Sequence, residues 1–163
     1  MKRIFLLLLL VLPLLARSQH VSRSFFDRYA QTEGFSSVQL ERKMMRMMSR
    51  QAAERSDESL AELLNGIETI RIVALDGGDA TRFLEDARAL TNHAGYHFQL
   101  VMSESADGQT TRFYLRSAVP PGYSELLMLT WGPRETVAVN VFGRFDLKQV
   151  SRLSTIRPKR SSE

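Results

Sequence analysis

The stretch SELLMLTWGPRETVAVNVFGRFDLKQVSRL, residues 124–153, constrains the fold of this chain more than any other part of it. Two apolar runs meet across Gly132-Pro133, a dipeptide that breaks a ladder because proline has no N–H to donate. Residues 126–129 are apolar at every position, which suits a central strand covered on both of its faces, or by a helix on one and a partner on the other. The next run alternates Val137, Val139 and Val141 with Ala138, Asn140 and Phe142, the period of a strand. Gly143 closes it. Asp146 with Gln149 three residues on forms a capping pattern, and Leu147, Val150 and Leu153 give the stripe of a short final helix. Such a stretch is a core, not a catalytic site.

The preceding chain supplies layers for that core. Residues 22–31 carry Phe25, Phe26 and Tyr29 at helical spacing, and Gly34 stops them. Residues 35–41 alternate like a half-buried strand, and 43–53 return to helix formers around Met44, Met45, Met47 and Met48. Residues 57–64 read as a second short helix, with Ser59 and Glu62 as a capping box and Gly66 as a left-handed C-terminal residue. Residues 67–75, IETIRIVAL, are a β-branched strand ended by Asp76-Gly77-Gly78. From Asp79, an N-cap, a longer helix sets Ala80, Phe83, Leu84, Ala87, Leu90, Thr91 and Ala94 on one face until Gly95. Residues 96–102 then alternate with Tyr96, Phe98, Leu100 and Met102 inward, and Asp107-Gly108 turns the chain into a strand over 110–116. Pro120-Pro121-Gly122 marks a loop. The order is that of an α+β domain: a single, mainly antiparallel sheet of five or six strands with helices packed on one face.

The ends of the chain carry other information. Met1, Lys2 and Arg3 precede an apolar run over residues 4–16, closed by Ala16-Arg17-Ser18, which together read as a secretory signal peptide cleaved after Ser18. The run is short of the ~20 residues a membrane span needs, and Pro13 interrupts it. Residues 19–156 then form the domain, and the charged, serine-containing segment 157–163 a disordered tail. The formal charge of +4 falls to about +1 once Lys2, Arg3 and Arg17 leave, and several of the remaining cations, Arg152, Arg157, Lys159 and Arg160, crowd the C-terminal end. The basic balance therefore gives no argument for nucleic acid. The sequence has no cysteine, so disulfides, thiolate zinc sites and a lipidated N-terminal cysteine are excluded. The expected address is exported, periplasmic or secreted, without a lipid anchor or a transmembrane span after cleavage.

Few residues suggest chemistry. Thioethers select Cu(I), which gives the methionine cluster a soft-metal reading, but methionine also fills cores and adaptable surfaces, and four within a turn and a half of helix cannot all face one ion. His93 and His97 have helical metal spacing with Gly95 between them, which should part the rings. The segment 76–79 is a glycine-containing loop before a helix, a place for phosphate, yet its two aspartates argue for a plain turn. Glu85 and Asp86 fall on a solvated helix face. No nucleophile elbow, zinc-protease motif or catalytic cysteine occurs. Trp131 at a hairpin end, with Tyr123 and Phe142, offers an aromatic surface or a lid on the core.

The segments FDRYAQTEGFSSVQLERKMMRMM, RFYLRS, SELLMLTWG and VAVNVFGRFDLKQVSRLS, behind a signal peptide, resemble the DUF4252 family of small exported proteins found chiefly in Bacteroidetes. The most specific part is Gly143 with the acidic cap and final helix. The resemblance implies a single-domain envelope protein, connected with envelope regulation; many relatives look like lipoproteins, from which this cysteine-free chain departs. The expected function is non-enzymatic binding of another envelope protein, with Trp131, Tyr123, Met44 and Met48 as the surface and no cofactor. Two alternatives stand beside it: an enzyme with a pocket between the long helix and the sheet, using a carboxylate and His97, and a Cu(I) binder.

Overall fold

The computed structural model describes residues 21–118 and 121–145. The expected signal segment, the expected final helix with its Asp146 cap and the expected tail fall outside the described residues. The elements in chain order are α1 (Arg23–Tyr29), β1 (Phe35–Glu41), α2 (Arg42–Glu54), α3 (Glu58–Gly66), β2 (Ile67–Leu75), α4 (Thr81–Asn92), β3 (Gln99–Ala106), β4 (Gln109–Ala118), β5 (Tyr123–Trp131) and β6 (Thr136–Gly143). One six-stranded sheet has the order β1-β2-β6-β5-β4-β3, and every ladder is antiparallel. This is the expected α+β class.

The helices, expected on one face, lie on both. Side chains along a strand alternate between faces, so Leu126 and Leu127 of β5 point opposite ways. Leu127 and Leu129 join Val73 of β2 and Ala138 of β6 beneath Phe25, Phe26 and Tyr29 of α1 and Phe83, Ala87 and Leu90 of α4. Aromatic rings bind the two helices here, Tyr29 meeting Phe83 edge-on at 4.7 Å. Leu126 instead joins Ile67 and Phe145 beneath Met45 and Ala52 of α2 and Ala61, Leu63 and Leu64 of α3. The unbroken apolar run of β5 is the sequence's record of this double cover.

Local chemistry departs from expectation in three places. The cap of α3 is Asp57, whose carboxylate accepts from the Leu60 N–H at 3.1 Å, two residues before the expected Ser59. Gly66 is not among the residues with positive φ, because α3 runs directly into β2 through an extended Ile67. Its small size serves another end: a Cβ there would strike the Arg144 backbone carbonyl, and one on Gly143 would meet Gly66 and the Ile67 Cα. Finally, β3 begins three residues late, at Gln99. His97 takes φ 57°, and an irregularity between Leu100 and Met102 breaks the ladder. Leu100 and Met102, expected inward, are 52% and 40% exposed on this edge strand. By contrast Asp107 and Gly108 both have positive φ, 53° and 75°, as a tight hairpin turn requires.

Candidate functional site

The methionine cluster is split by the way α2 lies on the sheet. Met45 is fully buried, whereas Met44, Met47 and Met48 are 41%, 46% and 37% exposed. Positions i, i+3 and i+4 of a helix share a face, so these three thioethers form one outward surface. Lys43, Arg46 and Arg50 are exposed on the same helix, and Arg42 is paired with Glu68 at 2.6 Å. Helix α2 thus presents an apolar, polarisable strip bordered by cations.

Trp131 and Tyr123 occupy opposite ends of β5, so the two do not make one surface. Trp131 is partly buried against the α1/α4 core, with the Arg112 guanidinium 5.3 Å above its ring. The Tyr123 ring lies 5.3 Å from Phe142 and beneath Arg144. Its hydroxyl donates to Glu68 at 2.6 Å and accepts from Arg144 at 3.2 Å, a contact that raises the Arg144 pKa. Tyr123 therefore closes a polar cluster with Glu68, Arg42 and Arg144.

The remaining sequence candidates are held by their neighbours. His93 stacks on Tyr96 at 4.0 Å and accepts from the Gly95 N–H. Among the described residues no group of three or more histidines and carboxylates gathers to hold a metal. At the start of α4, Asp79 accepts from the Thr81 N–H at 2.8 Å, and hydrogen bonding from Thr81 holds its carboxyl below the ordinary value. The chain's own anion sits where a phosphate would. Asp86, expected on a solvated face, accepts from Tyr29 and Arg28, both at 2.8 Å. Burial first, then the bond to Asp86, pushes the Tyr29 phenol up to about 12.

Two features escape a reading of the sequence alone. Glu125, fully buried, accepts from Arg116 at 2.7 Å, from Asn140 at 3.0 Å and from the Ser22 hydroxyl. It fastens the chain ahead of α1 to the middle of the sheet. Arg71 of β2 is also buried, beside a cavity of about 40 Å³ between α1 and β1. The signal for each was a charged residue in an apolar strand, on the parity of core neighbours: Glu125 with Leu127, Arg71 with Val73.

A single antiparallel sheet carrying a helical layer on each face, pinned by a buried ion pair, defines a small α+β domain. Within that class, the family model of DUF4252, a domain of unknown function, matches residues 29–153, and the chain belongs to that family. No curated protein sequence matches it. No helix among the described residues is long and apolar enough to cross a membrane.

Proposed function

We propose that this protein is a non-enzymatic binding module of the cell envelope or its exterior, which docks a protein partner on the outward face of α2. The observation that carries this reading is the exposure of Met44, Met47 and Met48 on one helix face while Met45 is buried. Unbranched thioethers adapt to an apolar counter-surface, and a partner with acidic residues around an apolar groove would complement Lys43, Arg46 and Arg50. The signal-like segment over residues 1–18 and the absence of cysteine support an exported, non-lipidated protein. The test is crosslinking in native envelope with the full chain, against a variant with Met44, Met47 and Met48 changed to glutamine and a Trp131→Ala control. Loss of one reproducible crosslinked band in the methionine variant alone is the expected result; the same bands in all three proteins would refute it.

One observation favours a second reading. With Met45 turned inward, the other three thioethers are no longer too many for one ion, and soft ligands select Cu(I). Equilibrium dialysis against Cu(I) with a competing chelator tests this, and uptake unchanged in the glutamine variant excludes it.

A further inference from the structure

Arg71 is a buried cation that no ion pair among the described residues reaches. It is 6% exposed, and the Gln39 side-chain carbonyl accepts from its Nε at 3.3 Å. Its Nη1 is buried and makes no hydrogen bond. Ion pairs among the described residues join Arg23 to Asp27, Arg28 to Asp86, Arg42 to Glu68, Arg116 to Glu125 and Arg134 to Asp107; none reaches Arg71. Buried charges in folded proteins are paired, because desolvation of a lone ion is costly.

The cavity of about 40 Å³ beside it supplies the space for a partner. Phe26, Val73 and Arg71 are its buried lining, and Asp27, Ser37 and Gln39 its exposed rim. Asp27 is held by Arg23 at 3.4 Å. At roughly 10–15 Å³ for each water-sized group, the cavity takes about three such groups, the size of one carboxylate. A trapped water would leave the guanidinium charge unbalanced, whereas a carboxylate balances it, since guanidinium and carboxylate match in shape and charge.

We infer that the cavity between α1 and β1 is a carboxylate-binding site with Arg71 as its cation and Ser37 at its mouth. The carboxylate comes from a small acid or from the end of a peptide chain. The site lies on the α1 side of the sheet, so it is independent of docking on α2. Three heavy atoms limit affinity to about 1 mM. The test uses the full chain and ¹³C-labelled sodium formate, read by formate line broadening and by Tm, with sodium sulfate at matched ionic strength as control. Saturable broadening and a Tm rise of several degrees with formate, absent with sulfate, are expected. Arg71→Gln should abolish both responses. Ser37→Val, a substitution an exposed strand position accepts, should weaken binding at least 5-fold and serves if Arg71→Gln fails to fold. A tripeptide with a free C-terminus that competes with formate, where its amide does not, assigns the site to a chain end; no competition assigns it to a small acid. A formate response that is linear, matched by sulfate, or unchanged in Ser37→Val means water alone fills the cavity and overturns the inference.

Discussion

Truncating Met45 to alanine should destabilise the protein by about 3 kcal/mol, although three adjacent methionines tolerate the same change. Met45 is fully buried among Ala52, Ala61, Leu64 and Ile67. Alanine removes three heavy atoms, each costing ~0.8 kcal/mol in lost transfer energy, and the cavity left behind adds to that. Collapse cannot recover much, because Ala52 and Ala61 have no atoms to extend into the gap. At Met44, Met47 and Met48 the lost area is already half wet, and alanine is the better helix former, so each change should stay within about 0.5 kcal/mol. Equilibrium urea unfolding of all four variants measures this, with the m-value checked for constancy. For a chain of this size 3 kcal/mol is a fall in Tm of about 6–12 °C. A loss under 1 kcal/mol for Met45→Ala, or over 2 kcal/mol for any of the others, would show that α2 lies on the sheet in another orientation.

Other perturbations probe the remaining features. Glu125→Gln withdraws the carboxylate from buried Arg116 and should cost about 3–5 kcal/mol; a loss below 1 kcal/mol in urea unfolding would mean that the cluster is not desolvated. Gly66→Ala drives a methyl group into the Arg144 carbonyl and should cost about 2–3 kcal/mol. Gly77→Ala, open on all sides but at φ 81°, should cost about 1 kcal/mol, and the reverse ranking would refute the close approach. Since folding raises the Tyr29 phenol from 10 to about 12, the unfolded chain ionises first. That contribution is complete below pH 10 and should disappear as the pH rises through about 12, a change on the order of 2 kcal/mol. Tyr29→Phe should flatten this window in pH-dependent unfolding, and an unchanged slope would count against the Asp86 bond.

How much of this was legible depended on whether the sequence pattern has the same period as the structure. The run at 126–129 announced a central strand without deciding what covers its second face, and Phe25, Phe26 and Tyr29 at helical spacing announced α1. The division within 44–48 was not legible, because four identical side chains carry no mark of which one faces the sheet; the packing angle of α2 decides. In the alternation of Tyr96, Phe98, Leu100 and Met102, the first two do pack against the core, and only Leu100 and Met102 depart from it. Leu100 keeps the core-side register opposite Tyr114 but lies on the edge strand, and the ladder irregularity after it turns Met102 to the other face without changing the letters. Gly66 looked like a helix cap because a glycine after a helix usually is one, whereas the carbonyl that crowds it comes from Arg144. Arg71 and Glu125 escaped because a charge on the core parity of an apolar strand does not say what it meets; only the three-dimensional pairing shows that Glu125 has a counter-ion and that Arg71 lines a cavity.

The strand order has a consequence for how the protein assembles. β3 to β6 form a meander in which each strand pairs with the next, and β1 pairs with β2. The ladder between β2 and β6 alone joins strands that are not consecutive, with register from Ile67 opposite Gly143 to Leu75 opposite Thr136. The meander can zip by local hairpins, but the N-terminal strands attach only after the intervening chain closes into a loop, and such closure is what slows folding. That ladder is a seam between two folding units. The paired glycines Gly66 and Gly143 lie at one end of it, so bulk introduced there should act on the rate of docking rather than on either unit alone.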